Sequence, residues 1–145
     1  AYETKEDRDN EQFAMDLFMA KASIPGVAIP CPEFYEVDYM IAASENTGSP
    51  VTALAEVKCR NNTSLEYPSY MISLHKALAL YRWGKACGLP AYLVVRWTDS
   101  IGYLDVAAYR LPLRPIGVAT RHGRRSADTE PGWFITKITD HFLFV

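Results

Sequence analysis

The chain has 145 residues, 49% of them hydrophobic and 22% charged, with a formal net charge of −2, a profile that fits one globular domain able to bury a core. No apolar stretch nears the roughly 20 residues of a membrane-spanning helix, and no basic-then-apolar N-terminus resembles a signal peptide. Cys31, Cys59 and Cys87 are odd in number and widely spaced, which argues against a disulfide framework or a paired-cysteine zinc site and for a reducing, intracellular compartment.

Along the chain, residues 3–22 read as a helix, polar to Gln12 and then apolar at Phe13, Leu17 and Ala20, with Ala14 and Phe18 alongside. Pro25-Gly26 ends it. Val27–Pro30 reads as a short strand or an extended connector. The runs 34–42 and 51–59 are rich in strand formers and are joined by the turn-forming segment 44–50. In the second run Val51, Ala53, Ala55, Val57 and Cys59 share one face, and Thr52, Leu54, Glu56, Lys58 and Arg60 share the other.

A second helix is expected over about 68–87, with Met71, Leu74, Ala77, Leu78 and Tyr81 as its apolar stripe and Gly88 as its C-cap. Residues 91–97 are nearly all apolar, as a central strand would be, and 102–109 form another strand. Residues 111–132, rich in Pro, Gly and Arg, read as a long irregular loop. Residues 133–135 and 141–145 are expected to add edge strands or tail packing. The sum is a mixed α/β domain spanning 1–145.

Charge is unevenly distributed. Residues 1–16 hold six acids against Lys5 and Arg8, whereas residues 57–126 hold eleven Lys and Arg against Glu66, Asp99 and Asp105. The basic stretch is either a face for phosphates or a mixed surface that happens to segregate along the sequence.

The chemistry concentrates on Glu56 and Lys58. A Glu-x-Lys pattern arises by chance about once in a chain this long, and Glu3-Thr4-Lys5 is such a match in a charged, solvated segment. Glu56 and Lys58 instead interrupt an apolar strand. If the hairpin turns near Thr47, Asp38 faces Glu56, with Cβ atoms about 4.5–5.5 Å apart. A one-residue slip would send Asp38 to the other face. Two opposed carboxylates cost stability unless a cation joins them, and oxygen ligands of this kind suit Mg²⁺ or Mn²⁺. Lys58, on the same face, is placed to hold a phosphate or orient a water. The bland alternative is a half-exposed strand with solvated charges.

This arrangement resembles the PD-(D/E)XK nuclease superfamily. Asp38 matches its lone acid and Glu56-Val57-Lys58 its D/E-x-K element, with Val37 standing where the family's name has proline. The resemblance covers about residues 3–97. It implies a restriction-endonuclease-like fold: a core ordered α-β-β-β-α-β, with a central mixed sheet flanked by helices and extra C-terminal strands. It further implies a Mg²⁺- or Mn²⁺-dependent nuclease, endo- or exo-acting, that hydrolyses phosphodiesters and leaves a 5′-phosphate. The metal would be held by Asp38 and Glu56, with the Val57 carbonyl and an acid of the first helix, for which Glu11 is the candidate and Glu3, Glu6 and Asp7 compete.

Members of the superfamily often carry further residues on the helix after the Glu-x-Lys strand. Here Tyr70, Ser73 and Lys76, at steps of three, are the candidates, with Lys76 assisting Lys58. Arg60, Ser73, Arg121, Arg124 and Arg125 are candidates for nucleic-acid contact. The expected partner is DNA, branched or single-stranded forms and RNA remaining open, with a homodimer conceivable and no membrane. The alternatives are an inactive nucleic-acid- or protein-binding domain on the same fold, and a small-molecule-binding α/β domain.

Overall fold

The structure is a computed structural model. It describes residues 4–33, 35–67, 69–108, 117–119, 130–136 and 141–145, with the backbone alone for 69, 117–119 and 130–136. Helix α1 (Lys5–Lys21) begins at a capping box, in which Thr4 Oγ1 accepts from the Asp7 N–H and Asp7 accepts from the Thr4 N–H. Strands β1 (Val27–Pro30), β2 (Tyr39–Ala42) and β3 (Val51–Cys59) follow as an antiparallel meander. Next come β4 (Ser69–Ser73), α2 (Leu74–Cys87), β5 (Ala91–Arg96), β6 (Ile101–Asp105), β7 (Gly117–Ala119), β8 (Glu130–Thr136) and β9 (Leu143–Phe144).

Six strands form one mixed sheet in the order β1-β2-β3-β5-β6-β9. β3 and β5 run parallel, so the chain must cross over between them, and α2 lies in that crossover. The sheet is covered on both faces. On one, Ala53, Ala55 and Val57 of β3 pack with Ala14, Met15, Phe18 and Met19 of α1. On the other, Leu54, Leu93 and Val95 pack with Ala77 and Leu80 of α2. A helix–sheet–helix sandwich follows directly from the two apolar faces of β3, which the alternation of its residues anticipates. α2 sits close to the sheet because Gly84 faces it. A Cβ there would lie 2.8 Å from the Ala107 Cβ and 2.9 Å from the Ala91 Cβ. The helix ends where Gly88 adopts a left-handed conformation, φ +66°.

Several expected boundaries move. The first helix buries Ala14, Met15, Phe18 and Met19, while Phe13 faces outward and carries the Arg96 guanidinium 4.9 Å from its ring centroid. The second helix starts at Leu74, not near 68, because residues 69–73 pair as a strand with β8. Tyr70 and Ile72 are buried at alternate positions, which is a strand's period of two rather than a helix's 3.6. In the second helix Leu78 points outward and Leu80 inward. The stretch expected to be irregular over 111–132 contains β7 and the start of β8, which with β4 make a second, three-stranded sheet. That partnership joins segments 60 or so residues apart, and no local pattern announces it. Among the described residues no helix is long and apolar enough to cross a membrane.

Candidate active site

The register of β2 on β3 sets the site. Tyr39 faces Ala55, Met40 faces Leu54 and Ile41 faces Ala53, so the next pair outward is Asp38 with Glu56, as the turn-centred expectation has it. Asp38 stands just before β2. Its backbone carbonyl accepts from the Cys31 N–H at 2.8 Å, and its Oδ2 accepts from the Val57 N–H at 3.4 Å. The backbone of Asp38 is thus held from the β1 side and its carboxylate from β3. Burial and the Asp38 charge together push the Cys31 thiol up to about 11, which keeps it protonated and inert at neutral pH.

Glu56 is 1% exposed. Its Oε1 lies 3.8 Å from Lys76 Nζ and its Oε2 3.6 Å from Lys58 Nζ, with the two lysine side chains about one-third exposed. Oε2 makes no hydrogen bond among the described residues. The Glu56 carboxyl is pushed up to about 8: burial raises it most, the facing Asp38 adds to the rise by sharing a proton and by its charge, and Lys58 and Lys76 pull the other way. Burial outweighs the cations, since both lysines sit at ion-pair distance and remain partly solvated. A buried carboxylate with an orphan oxygen is costly unless something else binds it.

Lys58 shares the face of Glu56 by strand alternation. Lys76 reaches the same spot from the first turn of α2, which the short strand β4 delivers to the end of β3. The expected face of Tyr70, Ser73 and Lys76 at helical spacing does not exist. Ser73 is the N-cap residue of α2, where its side chain makes no capping hydrogen bond, and Tyr70 is buried on β4. Arg60 Nη2 donates to Tyr70 Oη at 2.9 Å, and the guanidinium lies 4.8 Å from that ring's centroid. That anchoring of Arg60 was missed in the sequence, although the Tyr70/Ile72 alternation was its available signal.

Glu11 lies on the α1 side of the sheet. Burial raises the Cys59 thiol first, and Glu11 and Asp7 add to that rise, which puts Glu11 beside Cys59 rather than beside Glu56. Among the described residues no group of three or more His, Cys, Asp or Glu is placed to hold a metal ion. Two carboxylates, Asp38 and Glu56, therefore meet here without Glu11. Arg121, Arg124 and Arg125 lie outside the described residues.

A family model described as "Phage putative PDDEXK endonuclease" matches residues 1–141. No curated protein sequence matches the chain. Among solved structures, that of Archaeoglobus fulgidus Hjc, a Holliday junction resolvase, is similar with a TM-score of 0.50 and 16% identity, covering 87% of this chain and 82% of that chain. At that identity the likeness is one of fold, and it agrees with the mixed sheet flanked by helices described above. The match over 141 of 145 residues assigns the family: the chain belongs to the PD-(D/E)XK endonucleases, metal-dependent nucleases that act on DNA.

Proposed function

We propose that Asp38 and Glu56, with the Val57 carbonyl as a further oxygen donor, bind Mg²⁺ or Mn²⁺, and that Lys58 and Lys76 complete a site that cuts the DNA backbone internally. One observation carries this reading: Glu56 Oε2 is buried without a hydrogen bond among the described residues, directly opposite a second carboxylate. Hard oxygen donors in that arrangement fit a small divalent cation, which takes a few carboxylates and fills its remaining positions with water and phosphate. When bound, such a cation supplies Lewis-acid stabilisation of the charge that develops around phosphorus.

The chain's own groups do the rest. Asp38 is kept in place by the Val57 N–H and the Cys31 clamp, so it needs little reorganisation as the substrate arrives. Lys58, one-third exposed, has the reach to hold a non-bridging phosphate oxygen or to orient the attacking water. Lys76 lies beside the second oxygen of Glu56 and pulls its titration down, against the burial that raises it. Arg60, fixed by Tyr70, presents a cation of set direction to the neighbouring phosphates.

The test is a cleavage assay on linear, nicked, branched and single-stranded DNA, and on RNA, with Mg²⁺ or Mn²⁺. Internal cutting of at least one DNA substrate that stops with EDTA and with Glu56→Gln is the expected result. Binding of DNA without cutting under every metal condition would turn the reading toward an inactive binding domain on this fold.

A further inference from the structure

Beside the acid pair, on the same side of the sheet, lies a groove with a cavity volume of about 520 Å³. Its floor includes Val37, Met40 and Leu54, one wall is Cys31, and Tyr35 and Trp83 stand at its rim. Its position relative to the acids follows from register. Met40 faces Leu54 as Asp38 faces Glu56, so the floor lies two residues, about 7 Å, along the same strand face. On the helix side, Trp83 lies seven residues beyond Lys76, two turns and about 10 Å along the same face of α2. The apolar recess therefore begins about two residues from the acid pair along the strand face.

The recess is unusual for a protein that handles a polyanion. Among the described residues its floor offers no cation to a phosphate. The charged residue in that described lining, Glu36, has its Oε2 engaged by Arg82 Nη2 at 3.0 Å. The two rim aromatics are large and open, Tyr35 58% and Trp83 46% exposed. The volume falls within the about 300–1,000 Å³ that takes a small organic ligand. A neutral, flat, apolar-faced group fits this lining, and the part of a nucleic acid with that chemistry is the base. A base in a duplex is stacked and cannot enter without being extruded, at a cost that is least where it is already unpaired.

We infer that the groove formed by Tyr35, Val37, Met40, Leu54 and Trp83 is a subsite for one unpaired nucleobase next to the scissile phosphate. The inference rests on the proposed nuclease site and specifies its substrate: DNA with an unpaired nucleotide adjoining the cut, as at a flap, gap or branch. Trp83 and Tyr35 supply the stacking surfaces, and the apolar floor reads shape rather than base identity, so little sequence preference follows.

The test measures binding in Ca²⁺, so that the readout does not depend on turnover. A labelled oligonucleotide with a single-stranded segment is compared with a set in which one base at a time is replaced by an abasic site. One position in the set should weaken binding about tenfold, the size expected of losing one base–aromatic stack. Trp83→Ala should erase that positional dip, because its binding is already weakened to the same level, while leaving binding of fully paired duplex unchanged. Since Trp83 is nearly half exposed, the variant is expected to fold, and its thermal transition verifies that. Cys87→Trp, which adds bulk at an exposed position of the lining, provides an independent block with the same expected signature. A flat abasic set on a substrate that the protein cuts overturns the subsite and leaves the nuclease reading standing. Equal weakening of duplex and single strand by Trp83→Ala also overturns it. Failure to bind any nucleic acid overturns both.

Discussion

Glu56→Gln separates the cost of the acid pair from its use. In the metal-free protein the Glu56 carboxyl is pushed from its ordinary 4.5 up to about 8, chiefly by burial and then by Asp38. A carboxyl whose folded-state pKa lies above its unfolded one favours folding most at low pH. That contribution is intact below about 4.5 and is lost progressively as the pH climbs toward 8. At pH 7 the loss amounts to on the order of 3 kcal/mol. Glutamine has the shape of the protonated acid, keeps an N–H that can donate to Asp38, and does not titrate. In EDTA the variant should therefore melt above the wild type by roughly 5–10 °C at pH 7, a gap that closes toward pH 5. A saturating divalent ion removes most of that difference. It stabilises the wild type by about 2–3 kcal/mol at a hundredfold excess over Kd and the variant hardly at all. The assay is a set of thermal melts from pH 5 to 8, each in EDTA and in Ca²⁺. Parallel pH profiles for the two proteins in EDTA, or an equal rise in both with Ca²⁺, would refute the picture of a buried Glu56 that faces a second carboxylate and awaits a cation.

Other outcomes follow from the same geometry. Lys58→Met should lower single-turnover cleavage about 10²–10³-fold, as loss of one preorganised charge does, while the Ca²⁺-induced rise in Tm persists because Asp38 and Glu56 remain. Tyr70→Phe removes the hydroxyl that anchors Arg60. A loss of about 1 kcal/mol in urea unfolding is expected, together with weaker DNA binding whose salt dependence is unchanged in slope. Gly84→Ala should destabilise by about 1–3 kcal/mol in the same unfolding experiment, despite the roughly 1 kcal/mol that alanine gains in a helix, since its methyl would press on Ala91 and Ala107.

What could be read in the sequence was what local chemistry decides. Gly88 marks a helix end through the backbone chemistry of a few neighbours. The alternation from Val51 to Cys59 states two buried faces, and the apolar run 91–96 states a central strand. Asp38 and Glu56 could be paired because a short turn ties them together. What escaped was decided at a distance. Residues 69–73 carry helix formers and strand formers in one stretch, and their fate depends on hydrogen bonds offered by β8, about 60 residues on. The first-helix stripe was assigned to Phe13 when the flexible Met15 and Met19 fill the core instead, a substitution that unbranched, adaptable methionine side chains make easy. Glu11 illustrates a different limit. Its position in the helix was read correctly, but which side of the sheet that helix covers is a tertiary fact, and α1 packs on the Val57 side rather than the Glu56 side.

The meeting of Asp38 and Glu56 depends on a single irregularity. Next to the turn, Ala42 faces Val51, and one residue further on Ile41 faces Ala53. β3 thus carries one extra residue, Thr52, whose Oγ1 donates to the Ile41 carbonyl at 3.2 Å. Were the register near the turn continued without that bulge, Asp38 would stand opposite Ala55, on the face that α1 covers. A carboxylate there would be buried against Ala14 and Phe18 of α1, far from the two lysines. The bulge shifts the strand by one position, and because side chains alternate, that one position moves the acid from one face to the other. The site is therefore encoded as much by a turn-proximal threonine as by its carboxylates. Local rules, which disfavour both a bulge and a buried acid facing a second one, are broken at two points of one hairpin, and the second break is possible only because of the first.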